Sequence, residues 1–527
     1  MLLQLQILLQ MALSVAPASS TTTPTDSVVV KADPYYCYED GHLHRSRACR
    51  FFAAVIDAGS TGTRLQLYRF VHSTHEHGLP FHAEEETFLE VKPGLSSFVG
   101  RPSEAAASVA TLLAKAAEIV PQDLRARTPI MLKATAGLRL LPGDAALRIL
   151  SEVDTVVRAS DFVCIGECVG VLDGSEEGVH SWFSLNLLLE NFYHDAEGNE
   201  VDPSPYRSAA AFDLGGGSTQ VTYWPRSDAV FSAHPKDRHD IDFFDSHMHL
   251  YTHSYPRHGL QAARLGVLQG AQAAKDTVEL TSPCLPADFH LPSWEQALKT
   301  WSVRGTAAYS LQACAESVRD FVRRSKITPL KELRGSSQLY FFSYFYDRAS
   351  QAGLVNGGKS NGNGVVHVGD ILAAAEKACS RSGAELRDAA APHWLAWQCL
   401  DLAYIHSLLK DGYGLADDQV IIPVSNIRGM GVSWALGMSY SLVDAFHRHL
   451  ALDDVIDDDE DQRSATCAGT GDQRSSSEIK DQIAGSPAIE EADYLSVNAT
   501  GVEIVDTLLT VISRKTTDVL QFFNIVS

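Results

Sequence analysis

The stretch Val55-Ile-Asp-Ala-Gly-Ser-Thr-Gly-Thr-Arg-Leu-Gln-Leu-Tyr68 decides the fold, because Phe212-Asp-Leu-Gly-Gly-Gly-Ser-Thr-Gln-Val-Thr-Tyr223 repeats it. Each reads as a strand, an aspartate, a glycine turn with hydroxyls, and a strand again. The two aspartates, Asp57 and Asp213, stand about one domain's length apart. A duplicated lobe with a cleft between the copies follows. One copy alone is indistinguishable from an ordinary β-hairpin with an Asp turn; two copies in register point to a shared device. Successive N–H groups in such a turn form a concavity that suits phosphate oxygens, and Ser60 and Thr61 add hydroxyl donors. A carboxylate repels phosphate, so Asp57 and Asp213 are better used to hold one hydrated metal, through water, over a clamped polyphosphate. Oxygen ligands with water between suit Mg²⁺ or Ca²⁺ rather than a soft metal.

Outward from the hairpins, apolar β-rich runs alternate with helical patterns, the mark of an α/β fold. Strands are expected at Phe51–Ile56, Leu65–Val71 and Ile130–Lys133. Helices are expected at Ser103–Val120, capped by Ser103 and ended by Pro121, and at Ala145–Ala159 and Val179–Phe192. Two further motifs carry chemistry. In Lys133-Ala-Thr-Ala-Gly-Leu-Arg139, Thr135 can donate to phosphate or water. Arg139 can bind phosphate or brace a carboxylate, and the motif does not separate these. In Asp173-Gly-Ser-Glu-Glu-Gly-Val-His-Ser-Trp182, a glutamate held in the cleft could take a proton from an attacking water. Acidic residues before a helix also favour its dipole without any catalysis, and composition leaves both readings open.

The rest of the chain bounds the class. With 527 residues, two lobes are expected. A net charge of −22, from 43 basic and 65 acidic residues, argues against a nucleic-acid partner. It still permits a small anion where N–H groups and a metal offset the charge. Residues 1–20 read as a signal peptide, with a retained signal anchor as the alternative; no later stretch reads as a stable transmembrane segment. Residues 21–49 are a linker and N-terminal extension, 50–208 the first lobe, 209–452 the second, and 453–527 an acidic, largely disordered tail. The tail holds the one clear glycosylation sequon, Asn498-Ala-Thr500. Asp195–Ser208 and Asn356–Gly364 are expected as surface loops, and the histidine-rich stretch His234 to His258 as a solvated loop. Nine cysteines in an oxidising compartment should mostly pair, leaving Cys467 over. Cys164 and Cys168 form the only close pair; a disulfide is expected there, and zinc-ligand spacing is absent.

Taken together, VIDAGSTGTRLQLY, LKATAGLRLLP, GSEEGVHSWFSLN and FDLGGGSTQVTYW resemble the first four apyrase conserved regions of the nucleoside triphosphate diphosphohydrolases, and Ser433-Trp-Ala-Leu-Gly-Met438 resembles the fifth. The likeness runs from about Phe51 to Leu442. It implies two RNase-H-like lobes of the actin, hexokinase and Hsp70 superfamily with a cleft between them. Leu250-Tyr-Thr-His-Ser-Tyr255, Ala262-Ala-Arg-Leu265 and Tyr340-Phe-Phe-Ser-Tyr-Phe-Tyr-Asp-Arg348 are similar to the soluble subgroup that prefers nucleoside diphosphates such as UDP and GDP.

By motif position the resemblance implies Glu177 as general base, Ser218 and Gln220 beside the attacking water, and Thr135 near it. Ser60, Thr61, Gly62, Arg64, Gly215, Gly216 and Gly217 would grip phosphates. Tyr346 and Tyr255 would flank the nucleobase, or be core aromatics. The family's two late disulfides would be Cys284–Cys314 and Cys379–Cys399. Cys37, Cys49, Cys164, Cys168 and the acidic tail depart from the pattern. The activity implied is metal-assisted, in-line hydrolysis of the terminal phosphate of nucleoside di- and triphosphates, in the secretory pathway. Rival readings are an exopolyphosphatase or a broad apyrase, and a nucleotide-dependent binding protein of the same fold.

Overall fold

Strand β1 (Arg50–Ala58) meets β2 (Thr63–His72) antiparallel, with Asp57 opposite Arg64 and Ala58 opposite Thr63, so that residues 59–62 are the turn. Ala53, Ala54, Val55 and Ile56 are fully buried, so both faces of β1 are covered. Beyond β2 lies β3 (Phe81–Val91); on the other side β4 (Ile130–Ala134) and β5 (Val169–Val171) add parallel strands, giving the order β3-β2-β1-β4-β5. Helices α1 (Pro102–Ile119) and α2 (Ala145–Arg158) cover one face, where Val109, Leu112, Val153 and Val157 pack on Ala54, Ile56 and Leu65. Helix α3 (Gly174–Leu188) covers the other.

In this computed structural model the described residues are 50–447, except 73–78, 80, 193–201, 244–245, 271–276, 356–364 and 389, with the backbone of a short hairpin pairing Cys37–Glu39 with His42–His44. They belong to one unit, Met1–Asp454. The leader, the acidic tail, the sequon, the loop at 356–364, the first half of the loop at 195–208, and the pairing of Cys37, Cys49 and Cys467 lie outside them. No helix of the described residues is long and apolar enough to cross a membrane.

The second sheet contains β6 (Ala210–Leu214), β7 (Ser218–Tyr223), β8 (Arg238–Phe243), β9 (Ser246–Pro256), β10 (Leu339–Ser343), β11 (Val366–His367) and β12 (Val420–Pro423), in the order β8-β9-β7-β6-β10-β12-β11. Its inner five strands, β9-β7-β6-β10-β12, repeat β3-β2-β1-β4-β5 in both order and direction: two antiparallel pairings, then two parallel ones. The duplication therefore extends past the hairpins to the whole sheet. Helices α4 (Leu260–Gln269), α5 (Leu311–Arg324), α6 (Tyr344–Gln351), α7 (Val368–Ala378) and α8 (Gln398–Ser407) build the second lobe's own core around Phe212, Phe341, Val318 and Leu402. Disulfides Cys284–Cys314 and Cys379–Cys399 fasten strand Glu279–Pro286 to α5 and α7 to α8, and Cys164–Cys168 closes a five-residue loop, the three pairings expected.

A third core joins the sheets. Trp182 and Leu185 of α3, Val55 of β1, Ala211 of β6, Phe342 of β10 and Trp434, Leu436 and Tyr440 of a helix over 434–447 form one buried cluster. The Tyr440 hydroxyl accepts from the Ala83 N–H at 3.0 Å. The last described helix thus packs into a core shared with the first sheet, although it lies within the 209–452 stretch read as the second lobe. Three local expectations need correction. Pro102 occupies the first turn of α1, so Ser103 lies inside the helix and caps nothing. Helix α3 begins at Gly174, capped by Asp173 accepting from the Ser175 N–H at 2.7 Å, five residues before the expected start. The histidine-rich stretch is not a solvated loop but largely the strands β8 and β9, with His247 opposite Asp242 and His249 opposite Asp240 in hydrogen-bonded register.

Candidate active site

The functional candidates gather at the carboxyl ends of parallel strands, where crevices form in α/β sheets. Asp57 and Asp213 are the last residues but one of β1 and β6, Thr135 follows β4, and α3 with Glu177 follows β5. The two hairpin tips meet: a Cβ on Gly216 would lie 2.3 Å from the Ser60 hydroxyl and force that side chain to turn away. Carbonyls of the second tip are taken up by the start of α4, Leu260 N–H donating to Gly215 O at 2.8 Å and Gln261 N–H to Gly216 O at 3.0 Å. Among the described residues, the N–H groups of 59–62, Gly216 and Gly217 have no protein acceptor. Gly215 differs from its expected role, because its N–H closes the turn on Ser218 O at 3.0 Å.

Behind the tips lies a buried polar cluster. Gln220 Nε2 donates to Ser218 Oγ at 2.8 Å, to Glu177 Oε2 at 3.2 Å and to Ser254 Oγ at 3.1 Å. Arg139 donates from Nη2 to the same Glu177 oxygen at 2.6 Å, and reaches Ser218 Oγ at 3.4 Å. Of its two open readings, Arg139 takes the carboxylate-bracing one. Glu176 lies beside Glu177 in the first turn of α3, but only Glu177 is buried, at 6% exposure.

The electrostatics set this cluster apart from a structural ion pair. Burial raises the Glu177 carboxyl to about 8; Arg139 opposes this, and the charges of Asp213 and Asp57 push it further up. Burial likewise raises Asp57 to about 6, with Arg64 pulling it back, and Asp213 to about 6, with Ser343 pulling back and Asp57 adding repulsion. Three carboxyls that repel one another, with two guanidiniums nearby, leave negative charge uncompensated. Asp57 Oδ1 and Asp213 Oδ1 are buried without a hydrogen-bond partner. Hard oxygen donors in that state fit a divalent cation.

The remaining candidates divide. Arg64 bridges Asp57 at 3.5 Å and Glu90 at 3.1 Å and holds Thr61 Oγ1 at 3.1 Å, so it braces the first hairpin. Thr135 is buried one residue beyond β4, its N–H donating to Ala58 O at 3.3 Å. Tyr255 is a core residue: its hydroxyl accepts from Thr328 N–H at 3.2 Å and its ring lies 4.2 Å from His253, leaving no face for a base. Tyr346 packs at the margin of the second lobe's core. A cavity of about 1160 Å³ opens at the hairpin tips instead, lined by Ser60, Gly216, Gln261, Phe321 and the cations Arg257, Lys299 and Arg324. Sequence reasoning missed that cavity and Ser254, because strands and helices far apart in the chain bring their residues together.

A profile of the GDA1/CD39 (nucleoside phosphatase) family matches residues 44–454. The chain is 48% identical over 425 residues to the nucleoside-diphosphatase uda-1 of Caenorhabditis elegans, covering 80% of this chain and 88% of that protein. It is 36% identical over 402 residues to ectonucleoside triphosphate diphosphohydrolase 6 of Rattus norvegicus, covering 76% and 83%. Among solved structures, nucleoside triphosphate hydrolases from Neospora caninum superpose with a TM-score of 0.52 at 14% identity, covering 77% of this chain and 95% of that one, a likeness of fold.

Proposed function

Since this chain belongs to the GDA1/CD39 (nucleoside phosphatase) family, we propose that the cleft between its hairpins removes the terminal phosphate of nucleoside diphosphates, and of triphosphates less readily. One observation carries the reading: a glutamate raised to about 8 shares hydrogen bonds with Ser218, Gln220 and Arg139 beside two orphaned aspartate oxygens. The 48% identity to a nucleoside-diphosphatase supports the diphosphate preference.

Free N–H groups at both tips receive the terminal phosphate, and Ser60 and Thr61 add hydroxyls. Ser218 and Gln220 hold a water in line with its phosphorus, with Thr135 nearby. Glu177 accepts that water's proton as the new P–O bond forms and the anhydride bond breaks. Arg139 keeps the Glu177 carboxylate aimed and eases its ionisation. The family depends on a divalent cation; Mg²⁺ or Ca²⁺ bound through water to Asp57 and Asp213 would neutralise phosphate charge and orient the leaving group. The cavity at the tips has room for the nucleoside, with Arg257, Lys299 and Arg324 offsetting the charge of the monophosphate that departs. Three disulfides support folding in the secretory pathway.

Phosphate release from UDP, GDP, ADP, ATP and polyphosphate, with each divalent cation, tests the reading. Faster turnover of a nucleoside diphosphate than of ATP is expected. Activity on polyphosphate alone would instead make the chain an exopolyphosphatase.

A further inference from the structure

The turn that follows β9 holds an arginine where glycine is the usual residue. The His258 N–H donates to Tyr255 O at 3.3 Å across Pro256 and Arg257. Proline in the first central place and a positive φ in the second, 67° at Arg257, make this a type II turn. That second place takes glycine or asparagine, because a Cβ there crowds the backbone. A long cationic side chain held in such a conformation is strained, and strain of this kind collects at functional sites.

The turn is locked to the second hairpin tip. The Arg257 N–H donates to Gly217 O at 2.7 Å, and a Cβ on Gly259 would lie 2.4 Å from Ser218 N and 2.5 Å from Gly217 N. The Arg257 side chain is exposed on the wall of the cavity that opens at the tips, together with Lys299 and Arg324. These three cations are not equivalent. Lys299 donates to Thr277 O at 3.1 Å and lies over the Trp301 ring at 4.4 Å. Arg324 ends α5, where a cation complements the helix dipole. The Arg257 guanidinium has no carboxylate, carbonyl or ring partner among the described residues. Its charge is available to an anionic ligand.

We propose that Arg257 binds the second phosphate of a nucleoside diphosphate, the one that departs with the nucleoside. The inference rests on the nucleotidase reading above and deepens it. The terminal phosphate fills the N–H groups of the two tips, so the next phosphate along the substrate lies on the cavity side of Gly217, beside Arg257. The water oxygen bonds to the terminal phosphorus, its proton passes to Glu177, and the anhydride P–O bond breaks with its electron pair going to the departing phosphate. A guanidinium meets that charge with two parallel N–H donors. The anchor on Gly217 ties this guanidinium to the same tip that holds the terminal phosphate, which accounts for an arginine in the strained place.

The test compares Arg257→Gly and Arg257→Asn with the wild type, all full-length and with Mg²⁺. Both substitutions suit a positive φ and keep the main-chain N–H on Gly217, so the turn persists. The readouts are equilibrium binding of the methylene-bridged analogue of uridine diphosphate, equilibrium binding of orthophosphate, and steady-state hydrolysis of uridine diphosphate. Both variants should bind the analogue about 10- to 100-fold more weakly and lose kcat/KM by a similar factor. Orthophosphate, which needs only the tips, should bind as it does to the wild type. Wild-type affinity for the analogue in either variant would overturn the proposal. So would an equal loss for orthophosphate, because Arg257 would then only support the tip. A wild type that binds the analogue but hydrolyses no nucleotide would instead overturn the functional reading, while the binding comparison would still decide the role of Arg257.

Discussion

Glu177 binds no phosphate in this account, so its removal should separate affinity from turnover. Glu177→Gln is expected to lower kcat by about 10²- to 10⁴-fold, while equilibrium binding of a nucleoside diphosphate stays nearly unchanged. Steady-state kinetics with direct binding measurements check this, and a Glu177→Gln enzyme turning over normally would sink the base assignment. A pH profile tests Arg139. Glu177 must be ionised to act, and burial has raised it to about 8, so kcat/KM should climb with pH through the neutral range. The Arg139 guanidinium lowers that value. Arg139→Ala should therefore move the rising limb to higher pH; an unmoved limb would show that Arg139 does not govern ionisation of the base.

At the scale of elements, α3 shows both what the sequence disclosed and what it hid. The expected start at Val179 left Asp, Gly, Ser and two glutamates ahead of the helix, and Gly174 and Gly178, poor helix formers, give no local signal that it begins earlier. Gly178 is glycine for packing: an added Cβ would lie 2.6 Å from Thr222 Oγ1 and 2.8 Å from Thr252 Oγ1, on β7 and β9. That partner is distant in sequence, and no local pattern reveals it. Gly178→Ala should lift α3 off these strands, cost about 1–3 kcal/mol and lower turnover by displacing Glu177. Calorimetry and kinetics on the variant read both effects; wild-type stability and turnover would contradict the packing account. A second brace lies behind the site. Asp401 on α8 meets Arg264 of α4 at 2.6 Å and Arg348 of α6 at 3.1 Å, all three buried. Asp401→Asn leaves two buried guanidiniums short of a counter-charge and should cost about 3–5 kcal/mol, measurable as a lowered denaturation midpoint. The histidine stretch was illegible for the same reason as α3: His247 and His249 owe their order to Asp242 and Asp240 on the opposing strand.

Over the whole molecule, the repeated Asp-Gly motif was enough to place the two hairpins, since strand, turn and hydroxyls recur in register. It also foretold two lobes of one fold. Tyr255 stayed open in the sequence because its ring could serve a core as well as a cleft, and only packing against His253 and Thr328 decides for the core. The duplicated charge has a global consequence. Asp57, Asp213 and Glu177 are all raised above their unfolded values, so without metal the folded chain holds more protons than the unfolded one between about pH 4 and pH 8. Stability contributed by these groups is present at the acidic end and is lost as pH rises through about 6 and then about 8. Chelated protein should melt progressively lower across that window, and a divalent cation should restore more at pH 8 than at pH 5. A cation effect independent of pH would contradict three carboxyls sharing one charge-poor site.

The most direct examination of the paired hairpins is anomalous diffraction from crystals holding Mn²⁺ and a non-hydrolysable nucleoside diphosphate. One manganese peak is predicted between Asp57 and Asp213, with the terminal phosphorus between the two tips and facing Glu177 across a water. A peak remote from both aspartates, or a terminal phosphate bound away from Glu177, would contradict it.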